Sequence, residues 1–263
     1  MTKSNETPPA TDRPPLAYRD HEFLDSDEGR PLRILSEYLQ PLRAFRQHRV
    51  HDTIVFFGSA RLREDGPMGA SYAAARQLAR LITEWSQELG SPAHRFLVCS
   101  GGGGGIMEAA NRGAVDAGGR TIGLNISLPH EQRPNPYITP GLCFEFHYFF
   151  MRKLWFAYLA RAIVAFPGGF GTLDELFEIL TLSQTGKLDR RMIVILYGSS
   201  YWNEVLNIPA LVRHGMISAE DLALFHVVDS PAAALDILKR GLVTEMAPAT
   251  PAIAKSVTRG GQS

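Results

Sequence analysis

The 263-residue chain has no excess of charge of either sign: 27 lysines and arginines stand against 27 aspartates and glutamates. It lacks the basic surplus that binding to nucleic acid or to an anionic membrane draws on, so neither partner is expected. It has two cysteines, Cys99 and Cys143, and they fit no metal spacing. Cys99 ends an apolar run and reads as a buried, reduced thiol. No apolar run approaches the length that crosses a membrane. The segment from Met1 to Pro15 lacks the apolar core of a secretory signal, so a cytoplasmic protein is the expectation.

Two familiar phosphate-binding signatures are missing as well. A P-loop needs Gly-Lys followed by Ser or Thr at a helix start, and the one Gly-Lys, Gly186-Lys187, precedes a leucine. A dinucleotide fingerprint starting at Gly101 would need its third glycine where Ile106 stands. The strand after it would need an acidic end, and Asn125 stands there instead. ATP-driven phosphoryl transfer and an NAD site are both poorly supported.

What is present is an alternation of strands and helices. The residues 30–48 carry Leu32, Ile34, Leu35, Tyr38, Leu39, Leu42 and Phe45 on one helical face. This helix precedes the first strand, so it is expected outside the sheet or on a partner subunit. Strands follow at 53–57, 95–99, 120–126, 162–166, 192–197 and 225–229. Helices are expected at 72–89, 106–117, 148–160, after Leu173, at 201–213 and at 231–239. The proline-rich residues 127–143 read as a long loop of the kind that often serves function. The pattern predicts a single α/β domain, a doubly wound, Rossmann-like parallel sheet with helices on both faces. Its divisions are a disordered tail over 1–15, a helical extension over 16–50, the nucleotide-binding sheet region over 51–244 and a second tail over 245–263.

Three strand ends meet small or glycine-rich loops: Gly58-Ser59, the five glycines Gly101 to Gly105, and Gly168-Gly169-Phe170-Gly171. In such sheets ligands bind at the carboxyl ends of strands. The third loop is the most informative. An apolar run, Ala162 to Phe166, enters it, and Leu173, Leu176, Phe177 and Leu180 leave it at helical spacing. Glycines allow close approach of the backbone, and the helix start suits a phosphate. Thr172 adds a hydroxyl. Glu175 then follows, where a carboxylate does not help to hold an anion. It has a purely structural reading, because Thr172-x-x-Glu175 fits a capping box.

Pro167-Gly168-Gly169-Phe170-Gly171-Thr172-Leu173-Asp174-Glu175, with the pair Arg152-Lys153 ahead of it, resembles the P-G-G-x-G-T-x-x-E and Arg-Lys motifs of the LOG (Lonely Guy) family. The resemblance runs from about Ile54 to Asp229. It departs in Phe149-Phe150-Met151, where many plant-type members have Met-His-x, and in a longer amino-terminal extension. It implies hydrolysis of the N-glycosidic bond of a purine riboside 5′-monophosphate, AMP or an N6-substituted cytokinin nucleotide, in at least a homodimer. It also implies Arg152 and Glu175 as catalytic residues. Binding of substrate and phosphate then falls to Gly58, Ser59, Gly103, Gly104, Lys153, Gly168, Gly169, Gly171 and Thr172, with Glu131 and Asn135 closing over from the long loop. No metal is expected. No cofactor is expected either, since nothing around Lys153 or Lys187 suggests a pyridoxal phosphate site. The alternative is a non-catalytic nucleotide-binding or sensor protein of the same fold.

Overall fold

The computed structural model describes residues 14–90, 94–128, 133–188 and 190–243. The expected tails lie outside these residues apart from Pro14 and Pro15, and so does Glu131. After a short 3-10 turn come α1 (His21–Asp25) and α2 (Arg30–Gln47). Then follow β1 (Thr53–Phe57), α3 (Gly69–Glu88), β2 (Leu97–Ser100), α4 (Ile106–Asp116), β3 (Thr121–Ile126) and β4 (Cys143–Phe146). The second half contains α5 (Phe149–Leu159), β5 (Ala160–Ala165), α6 (Phe170–Gln184), β6 (Ile193–Tyr197), α7 (Ser199–Val205), α8 (Ile208–Arg213), β7 (Phe225–Val228) and α9 (Pro231–Val243).

The strands form one sheet in the order β4-β3-β2-β1-β5-β6-β7, and every neighbouring pair is parallel. The side-chain period of two divides β1 between two cores. Ile54 and Phe56 join the apolar faces of α3, α4 and α9. Val55 and Phe57 join those of α2, α5 and α6. All four are buried. Burial of such side chains is worth about 1.5–3 kcal/mol each, and a one-residue slip would send each to the wrong layer. That fixes the register on which the loops depend.

β1 is the point where the winding reverses. From it the chain steps outward through β2, β3 and β4, returns to β5 on its other side, and steps outward again through β6 and β7. The crevice of such a sheet opens beyond the carboxyl ends of the strands at this reversal. The loops after β1, β2 and β5 are the three glycine or small-residue loops picked out above.

Two expectations are corrected. The loop expected over 127–143 runs into an edge strand that the pattern does not predict, β4, which overlaps it only at Cys143 and whose residues alternate exposed and buried. The helix expected over 201–213 is two helices, α7 and α8. Pro209 lacks the N–H that a continuous helix would need, and Asn207 caps the restart by accepting from the N–H of Ala210. The amino-terminal helix α2 packs outside the sheet, against one face of it: Leu42 and Phe45 are buried in the core beside β4 and α5.

Candidate active site

The loops after β1 and β5 are tied directly. The N–H of Ser59 donates to Pro167 O at 3.0 Å, and Ser59 O accepts from the N–H of Ile106 at the start of α4 at 3.1 Å. All three loops thereby meet at one point. Gly168 is needed there for close approach, because a Cβ on it would lie 2.7 Å from Thr172 Cβ and 3.0 Å from Ser59 N. The hydroxyl of Tyr201 donates to Gly168 O at 2.6 Å and holds the loop from the α7 side.

These loops enclose a cleft of about 890 Å³. Of the residues singled out in the sequence, Gly58, Ser59, Arg152, Gly168, Gly169, Gly171, Thr172 and Glu175 line it. Gly103, Gly104, Lys153 and Asn135 sit elsewhere. Asn135 is buried behind the glycine loop, where its Nδ2 donates to Gly102 O at 3.1 Å, Gly103 O at 3.0 Å and Asn111 Oδ1 at 2.9 Å. It props the loop and does not face the cleft. Gly103 and Gly104 are off the cleft wall, and Gly101 lines it. Lys153 points away, with Nζ 2.7 Å from Asp174 Oδ1 and 3.3 Å from Glu178 Oε2.

At the floor of the cleft, α6 begins at Phe170 with Gly169 as its cap. Leu173 is the first residue whose N–H reaches back, to Gly169 O at 3.0 Å. The N–H groups of Phe170, Gly171 and Thr172 therefore have no helical partner. Cβ atoms at Gly169 and Gly171 would have no neighbour within 4 Å, so this helix end opens onto free space. It is a helix start suited to an anion.

The capping-box reading of Glu175 fails on this geometry. Thr172 lies inside the first turn and is not the cap, so Glu175 sits in the second turn, beyond reach of the cap N–H. Its carboxylate instead faces Arg152, with Oε1 3.4 Å from Nη1. Both side chains are largely buried, at 13% and 12% exposure. Burial pushes the Glu175 carboxyl up to about 7, against the pull of the Arg152 guanidinium. Arg152 is on α5. Its Nε donates to Leu124 O at 2.7 Å, and its guanidinium lies 5.0 Å from the centre of the Phe156 ring. Burial lowers its pKa, an effect that Glu175 opposes.

Sequence reasoning missed several lining residues: Asn125, Met107, Leu128, Arg61 and Tyr201. With its amide turned to donate, Asn125 lies 3.3 Å from both Gly101 O and Gly102 O. Asn125 was visible only as the wrong residue for a ribose-binding acid. Tyr201 carried no signal, since its contact is with a glycine 33 residues earlier.

The fold and site together are a doubly wound parallel sheet whose switch-point cleft holds an anion-suited helix start and a buried carboxylate–guanidinium pair. A family model described as "Possible lysine decarboxylase" matches residues 107–238. Cytokinin riboside 5′-monophosphate phosphoribohydrolase LOG of Oryza sativa subsp. japonica is 30% identical over 198 residues, which is 74% of this chain and 74% of that protein. Cytokinin riboside 5′-monophosphate phosphoribohydrolase of Rhodococcoides fascians is 32% identical over 114 residues, 42% of this chain and 56% of that one. The X-ray structure of the structural-genomics target TM1055 shares the fold, with a TM-score of 0.52 at 21% identity over 72% of this chain and 99% of that chain. The chain belongs to the LOG family. The family description implies pyridoxal phosphate, which binds as a Schiff base on a lysine. No lysine lines the cleft among the described residues, so the site does not fit that cofactor.

Proposed function

We propose that this chain hydrolyses the N-glycosidic bond of a purine riboside 5′-monophosphate, giving the free base and ribose 5-phosphate. The observation that carries the reading is Glu175: a carboxylate buried beside Arg152 in the same cleft as the open start of α6. The names of the relatives point the same way.

In this reading the 5′-phosphate sits on the N–H groups of Phe170, Gly171 and Thr172. The ribose then lies over Glu175. As the bond from C1′ to N9 breaks, its electron pair leaves with the purine, and positive charge grows on C1′ and the ring oxygen. The ionised carboxylate of Glu175 stabilises that charge and orients the water whose oxygen bonds to C1′. Arg152 is always charged. It hydrogen-bonds the departing base and offsets its negative charge, while a proton from water completes the free base. The lining by Met107, Ile126, Leu128 and Phe149 gives the base end an apolar wall. AMP is the minimal substrate, and an N6-prenylated AMP is the extended one.

The test is base release from AMP, adenosine and N6-prenylated AMP. Binding energy from the remote phosphate is used at the reacting centre, so adenosine is expected to be turned over at least a hundredfold more slowly, by about 2.7 kcal/mol at 1.36 kcal/mol per tenfold. Equal rates for AMP and adenosine would end the phosphate anchor. Tight AMP binding with no base release would leave a binding protein.

A further inference from the structure

We infer that Glu37, on α2 of the amino-terminal extension, is a positioning residue for Arg152. The inference rests on the reading above, in which Arg152 meets the departing base. The helix that carries Arg152 begins without a cap of its own: Tyr148 makes no side-chain cap bond, and the first turn holds no acid. Glu37 supplies what is missing from another element. Its Oε1 accepts from the N–H of His147 at 2.7 Å, and its Oε2 accepts from the N–H of Tyr148 at 3.2 Å. A carboxylate at a helix start satisfies orphan donors and suits the helix dipole.

The same residue holds α5 a second time. Trp155 Nε1 donates to the backbone oxygen of Glu37 at 3.0 Å, and the Trp155 ring stacks on Tyr38 at 5.4 Å. Arg152 lies between these two fixings. Its contact with Glu175 is 3.4 Å, at the outer edge of hydrogen-bond distance, so a small drift of α5 opens it. Misplacement of a reacting group by about 1 Å costs on the order of a hundredfold in rate. Glu37 thus gives the amino-terminal extension a part in the chemistry: it sets the axial position of the helix that presents the guanidinium.

The test uses the full chain with Glu37→Ala, with Glu37→Met, which keeps side-chain bulk without an acceptor, and with Glu37→Gln, which restores one acceptor. In the first two, kcat for AMP is expected to fall on the order of tenfold. The KM stays within about twofold, because the phosphate contacts lie on α6. Glu37→Gln is expected to recover most of kcat. A second readout does not depend on turnover: the carboxyl carbon titration of Glu175, assigned with Glu175→Gln. Arg152 and Lys153 draw this carboxyl down, while Asp174 and Glu178 push it up, and Glu145 also faces Arg152. Moving Arg152 away is expected to raise the midpoint by about half a pH unit. If the wild-type chain releases no base from AMP, the proposed reaction fails and the titration alone decides the positioning. If Glu37→Ala is poorly folded, Glu37→Met carries the same expectations. A folded Ala or Met variant with wild-type kcat and an unmoved midpoint overturns the inference.

Discussion

The decisive residue is Glu175, and its environment makes it a liability to the fold. Its carboxyl rises from the ordinary 4.5 to about 7, so the folded chain binds its proton more tightly than the unfolded chain does. The stability this group contributes is fully present below pH 4.5 and is lost as pH rises through 7. Over that window the loss is roughly 3 kcal/mol, at about 1.36 kcal/mol for each pH unit between the two values. Glu175→Gln removes this dependence. The variant's stability relative to wild type is therefore expected to climb between pH 4.5 and 7, as read from thermal unfolding at several pH values. Its turnover of AMP is expected to drop roughly a hundredfold to a thousandfold, as when one electrostatic group is lost from an active site. For the wild type, kcat/KM should rise with pH through a midpoint near 7, since the working form is the carboxylate. A flat profile between pH 5.5 and 8.5 would remove Glu175 from the rate-determining chemistry. A capping role is already contradicted by the helix start at Phe170, which lies upstream of where Thr172 alone would place it. The motif was legible in the sequence. The burial that lifts the carboxyl was not, because it depends on side chains from other elements, Arg152 of α5 among them.

At the scale of the element, α6 carries the proposed anion site, and Gly171 weakens it as a helix. Gly171 is inside the first turn, and a side chain there would meet nothing within 4 Å. Alanine is about 0.5–1 kcal/mol better than glycine in a helix. Gly171→Ala is therefore expected to raise the unfolding midpoint. The same methyl projects into the space assigned to the phosphate, so KM for AMP is expected to rise at least tenfold, roughly 1.4 kcal/mol of lost binding. Lower KM or lower stability would contradict this placement of the phosphate. The strands and helices around α6 could be read from hydrophobic runs, because each of the central strands is buried on both faces. Elements at the margins were harder to read. β4 is a four-residue edge strand with one exposed face, set among prolines that suggest a loop. The split between α7 and α8 turned on Pro209 alone. Asn135 and Glu37 act through partners 33 and 110 residues away, and no local pattern encodes such contacts.

At the scale of the whole molecule, the fold leaves an apolar face beside its own cleft. On α5, Phe149 is 55% exposed, Phe150 51% and Leu154 38%, and Phe177 on α6 is 39% exposed. Single exposed apolar residues are ordinary, but three on one eleven-residue helix, two of them phenylalanines, are what an interaction surface would use. Phe149 also lines the cleft, so whatever covers this face borders the site. We propose a second copy of the chain, packed through α5 and α6. A stable interface needs about 800 Å² from each partner, and Leu35 and Leu39 on α2 are exposed apolar residues as well. Because a twofold interface is self-complementary, each charge introduced on α5 appears twice within it. Phe150→Asp with Leu154→Glu is therefore expected to give a folded monomer where the wild type sediments at twice the chain mass. Turnover should fall with it, since the wall of the cleft at Phe149 would then be open to water. The measurement is sedimentation at micromolar protein alongside AMP hydrolysis on the same preparation. A wild-type protein of single-chain mass at every concentration would reject the dimer. A monomeric double variant with full activity would keep the interface but detach it from catalysis.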